Sequence, residues 1–92
     1  PGTSRDIAVV VPLEVSMREL EGVIRANAGE LLTDAKVFDV YTGKQVADGC
    51  KSMAFNLTFQ AGDRTLTDTE IDTVIKNVVD KVGEEYKAKL RA

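Results

Sequence analysis

Ninety-two residues, 43 % hydrophobic and 29 % charged, suffice for one small globular domain, and no apolar run approaches the roughly 18 residues of a membrane span. With no histidine and one cysteine, Cys50, the chain lacks the common general base, the common metal ligand and any internal disulfide, so a reducing cytoplasm is expected. A net charge of −3 runs against the basic profile of a dedicated non-specific nucleic-acid binder, while leaving room for a local contact surface inside a larger assembly. The first element is the β-branched run "RDIAVVVP" (5–12), which reads as a strand closed by Pro12. In "EVSMRELEGVIRANAG" the period changes to helical. Ser16 and Glu19 have the spacing of a capping box, Leu20, Val23, Ile24 and Ala28 form an apolar stripe, and Gly29 supplies the stop. Gly22 weakens this helix relative to alanine while giving room for close packing.

From Leu31 to Tyr41 the period returns towards two, and Phe38 and Val40 are expected in the core, alternating with Asp39 and Tyr41. The loop "TGKQVADGC" (42–50) carries two glycine turn signals. "KSMAFNLTF" (51–59) alternates most cleanly: Met53, Phe55, Leu57 and Phe59 on one side, Ser52, Ala54, Asn56 and Thr58 on the other. A second capping box, Thr67 with Glu70, opens a helix with Ile71, Val74, Ile75, Val78, Val79 and Val82 on one face, and Gly83 is expected to end it. "YKAKLRA" closes the chain, with Leu90 as the buried anchor of a short last strand.

The predicted order is β-α-β-β-α-β. Each helix has one apolar stripe and each strand one apolar face, so both helices must cover one side of a single sheet. Right-handed crossovers then give an α+β, ferredoxin-like sandwich with a four-stranded antiparallel sheet in the order 4-1-3-2. Its other face is left uncovered. Alternation puts Ala8, Asp39, Tyr41 and Ser52 there: a small floor residue, a carboxylate, a ring and a hydroxyl. On an open sheet a ring offers a stacking platform for a nucleobase. A carboxylate repels phosphate but accepts well from two donors on one base edge, as guanine presents. Taken by pattern alone, a solvated edge-strand pair explains Asp39 and Tyr41 equally well.

The stretches "SRDIAVVV", "FDVYTGKQVADGCKSMAFNLTF", "RTLTDTEI" and the terminal "LR", in that order, resemble the ferredoxin-fold anticodon-binding domain that ends the β subunit of bacterial phenylalanyl-tRNA synthetases. The resemblance covers essentially all of residues 1–92. It implies a non-catalytic domain that touches the anticodon of phenylalanine tRNA. Tyr41 would stack on the first anticodon base, a guanine, and Asp39 would bond its edge. Ser52 would approach the middle base, with Ala8 in the same surface. It further implies no cofactor in this domain, a parent ligase using ATP and magnesium, and a catalytic α subunit as partner in a heterotetramer. A start at Pro1 instead of Met fits a fragment of a longer chain.

One position departs from the family's pattern: Cys50 stands where a basic residue is usual, which removes one phosphate grip. Without a neighbouring histidine to activate it, Cys50 reads as a half-exposed loop residue. Arg5 and Asp6 read more readily as an ion pair or turn contact at the start of the strand than as RNA contacts. Arg64 and Thr67 read as loop and cap residues. Lys44, Lys51, Lys87, Lys89 and Arg91 form a candidate basic fringe, which a solvated surface explains as well. The alternative function is a regulatory small-molecule-binding domain of the same topology, which would not require Tyr and Asp paired on the open face. An acylphosphatase-like enzyme is disfavoured, since "PLEVSM" offers no phosphate-cradling loop.

Overall fold

Both helices start where the capping boxes put them. The Ser16 hydroxyl accepts from the Glu19 N–H at 3.0 Å and opens α1 (Met17–Ala28). Thr67 accepts from the Glu70 N–H at 3.2 Å and opens α2 (Asp68–Tyr86). Each satisfies backbone donors that a helix start leaves without partners. The computed structural model describes residues 2–87 in full and residues 89–90 as backbone. Three ten-residue strands, β1 (Thr3–Pro12), β2 (Leu32–Tyr41) and β3 (Cys50–Phe59), form an antiparallel sheet with β3 in the middle.

Ile7, Val9 and Val11 of β1 and Met53, Phe55, Leu57 and Phe59 of β3 are buried on one side of the sheet. There they join Leu20, Ile24 and Ala28 of α1 with Ile71, Val78 and Val82 of α2 in a single core. The expected α+β class, with two helices over one face of an antiparallel sheet, is what the chain forms. Along the free edge of β1, the backbone of Lys89–Leu90 pairs with Val9 and Val10. The anchor expected at the Leu90 side chain, and the fringe residues Lys89 and Arg91, lie outside the described side chains.

Three local expectations are corrected. Gly83 does not end α2, which runs on to Tyr86 and closes at Lys87 in the left-handed region, φ 54°. The half-buried Tyr86 packs on the core and draws the last turn with it. Gly22 serves no close approach, because a Cβ there meets nothing within 4 Å. Phe38 and Val40 are not core residues: they are 59 % and 54 % exposed. The pairing of β2 with β3 slips between Val37 and Asp39, so Phe38 is an extra residue with no partner of its own. Val40 does lie opposite Met53 on the helix side, but α1 begins at Met17 and leaves that end of β2 uncovered.

Candidate nucleic-acid interface

Residues directly opposite in an antiparallel ladder share a face, so the register alone lays out the surface away from the helices. Tyr41, Ser52 and Val10 lie side by side across β2, β3 and β1. Asp39, Ala54 and Ala8 make the next row, and Lys36, Asn56 and Asp6 the one after. The four expected residues Ala8, Asp39, Tyr41 and Ser52 therefore stand on one face, in two adjacent rows. The slip at Phe38 falls before Asp39, which is why Asp39 and Tyr41 keep the outward parity although Phe38 was misplaced.

The rows differ in depth. Asp39 is exposed and stands beside Ala54 and Ala8, whose methyl groups make a shallow floor. Among the described residues no cation forms an ion pair with Asp39, so its two oxygens are available to N–H donors from outside. Ser52 is only 2 % exposed. Its cross-strand neighbour Tyr41 is half-buried, and a direct contact from the Ser52 hydroxyl to a base requires its cover to shift.

Gly43 sets the position of that ring. A Cβ at residue 43 would sit 2.5 Å from the Tyr41 hydroxyl oxygen and 2.9 Å from Cζ, so the phenol lies back against bare backbone. The same residue has φ 152°, which side-chain-bearing residues rarely adopt. The sequence marked Gly43 as a turn residue; the "TG" following an aromatic was the available signal for its second role. Beside Tyr41 a shallow groove is lined by Leu13, Thr42, Gly43, Lys44, Val46 and Cys50.

The surrounding charges divide by face. Lys44 sits in the exposed loop next to the patch. Lys51 pairs with Val11, on the helix side, and so does not flank the patch. Arg5 bonds Asp68 at 2.6 Å, tying the start of β1 to α2, and Asp6 accepts from Asn56 Nδ2 at 2.8 Å. Arg64 grips Glu70 through two contacts of 2.7 Å. That guanidinium and the Thr67 backbone N–H hold the Glu70 carboxyl down at about 2. Arg5, Arg64 and Thr67 therefore act in the fold. Cys50 is a free, half-buried thiol opposite Pro12.

Residues 1–91 match the family described as the ferredoxin-fold anticodon binding domain. Among similar chains are phenylalanine–tRNA ligase beta subunits. That of Moorella thermoacetica is 44 % identical over 91 residues, 99 % of this chain and 11 % of the relative. The Symbiobacterium thermophilum subunit is 41 % identical over 91 residues, 96 % of this chain and 10 % of the relative. The Xanthomonas oryzae subunit is 40 % identical over 92 residues, 100 % of this chain and 12 % of the relative. The chain thus spans about a tenth of the length of the relatives it matches. With an open sheet face and a family match running almost end to end, the chain belongs to the ferredoxin-fold anticodon-binding domain family.

Proposed function

We propose that this chain is the anticodon-binding domain of a phenylalanine–tRNA ligase beta subunit, reading the anticodon of phenylalanine tRNA with the outer face of its sheet. The observation that carries the reading is the pairing of a carboxylate, Asp39, that no cation bridges among the described residues, with the Tyr41 ring two residues along the same face, in a chain whose relatives bear that name. Stacking needs no sequence information and supplies affinity. The carboxylate, accepting from guanine N1–H and N2–H together, supplies choice. Ser52 reaches the middle base once its cover shifts, and Ala8 keeps the floor low enough for the bases to approach.

In this reading the Lys89–Leu90 ladder is the fourth strand of the ferredoxin-like β-α-β-β-α-β order. The domain works in the cytoplasm within a heterotetramer with a catalytic α subunit. Aminoacylation, with its ATP and magnesium, takes place on that subunit, and this chain contributes binding alone. The names of the relatives favour this role over a regulatory small-molecule domain.

The test is titration of the chain with phenylalanine anticodon stem-loops, followed by amide shifts. Tyr41→Ala should weaken binding by about 1–3 kcal/mol. Asp39→Asn should reduce preference for guanine over adenine at the first anticodon position more than it reduces total binding. Unchanged base preference in Asp39→Asn would reject the assignment.

A further inference from the structure

The outer face does not stop at the two rows that hold Ala8, Asp39, Tyr41 and Ser52. Building on the proposed RNA-reading role, we propose that Asn56, in the next row, reads a further base with an adenine-type edge, flanked by Lys36 as a phosphate contact. Same-face rows repeat about every 6.6 Å along a strand, and a single strand with splayed bases can follow such steps. The third row, Lys36–Asn56–Asp6, adjoins Asp39 and so neighbours the base that Asp39 and Tyr41 hold.

The chemistry of that row is specific. Asn56 Nδ2 donates to Asp6 Oδ1 at 2.8 Å, and because an ionised carboxylate only accepts, this bond decides which end of the amide is nitrogen. One N–H is thereby used. The second N–H and the amide oxygen remain, a donor beside an acceptor, the combination with which asparagine meets N6–H and N7 of adenine. Asp6 is a positioning residue that fixes the amide. Lys36 is held only loosely, 3.7 Å from Asp34, with its side chain 76 % exposed, while Arg25 approaches Asp34 at 3.3 Å. Lys36 is therefore available to a phosphate at the outer edge of the row. The β1–β3 ladder runs unbroken from Thr3↔Phe59 to Pro12↔Cys50, so the Asp6–Asn56 bond is not needed to set its register.

The experiment uses RNA hairpins carrying the phenylalanine anticodon loop, with adenine or guanine placed in turn at each loop position other than the first anticodon base. The unaltered chain should prefer adenine at one such position by about tenfold. Asn56→Ala and the β-branched Asn56→Thr should both abolish that preference and keep the guanine preference at the first anticodon position. Lys36→Ala should weaken all hairpins alike and lower the salt slope by about one. Preference for adenine that survives both Asn56 substitutions, or never occurs, overturns this inference. Should Tyr41→Ala weaken binding in that same series, the anticodon-binding role stands and only the third row is wrong. Should Tyr41→Ala also leave every hairpin unaffected, the role and the inference fall together.

Discussion

Strands β3 and β2 are both ten residues long and pair with each other, yet they use their side chains in opposite ways. In β3 every second residue from Met53 to Phe59 is at most 1 % exposed. In β2 only Ala35 is fully buried, and Phe38 and Val40 stand more than half exposed. The central strand is laddered on both sides, so inserting one residue would break two sets of hydrogen bonds. The edge strand is laddered on one side only, and it takes an irregularity at Thr33 and another at Phe38. Stability is concentrated where the chain has no such freedom. The residues proposed to meet RNA are divided between the two, Asp39 and Tyr41 on the irregular β2, Ala8 and Ser52 on the unbroken β1 and β3.

The sharpest test of this difference compares two phenylalanines. Phe55→Ala should cost about 3–5 kcal/mol in urea denaturation, because a fully buried ring leaves a cavity. Phe38→Ala should stay within about 0.5 kcal/mol. Equal losses would mean that β2 is packed as β3 is. Next in size is Gly43→Ala, which forces a side chain into an unfavoured φ and into the Tyr41 ring; a destabilisation of about 1–3 kcal/mol is expected, together with weaker hairpin binding. If the fold weakens while binding holds, the ring does not depend on that glycine.

Smaller still, and of opposite sign, Gly22→Ala on the open side of α1 should raise stability by about 1 kcal/mol and leave binding to β2 unaltered. Thermal melts with parallel titrations separate the two effects. The least effect is expected from acid. Glu70 has a folded pKa of about 2, below its ordinary 4.5, so its contribution is complete above pH 4.5 and is lost as pH falls through about 2. Glu70→Gln should flatten that part of the stability curve, and a curve identical to the parent's would show that the Arg64 contact is idle in solution.

The features legible in the sequence were those settled within a few residues. Each capping box needs only a hydroxyl and a carboxyl three positions apart, and both form. The alternation of β3 is written in its own side chains. The extra residue at Phe38 is a relation between two strands, and nothing in "VFDVY" records it; apolar alternation there puts Phe38 in the core, and it is 59 % exposed. Parity at Asp39 and Tyr41 survived because the slip precedes them. Gly83 misled because glycine inside a helix and glycine after one look alike until a following residue, here Tyr86, finds its packing. The burial of Ser52, 2 % exposed, was likewise out of reach, since alternation gives the face of a residue and not its depth.

The interruptions in β2 have a consequence for how copies of this protein behave towards one another. An edge strand carries a row of N–H and C=O groups without partners, and a long straight edge invites a strand from another molecule. Here the straight pieces are only Asp34–Val37 and Asp39–Tyr41, and Asp34, Lys36 and Asp39 punctuate them with charge. Neither piece is long enough to template a stable intermolecular ladder. The sheet is thereby protected from aggregation along this side.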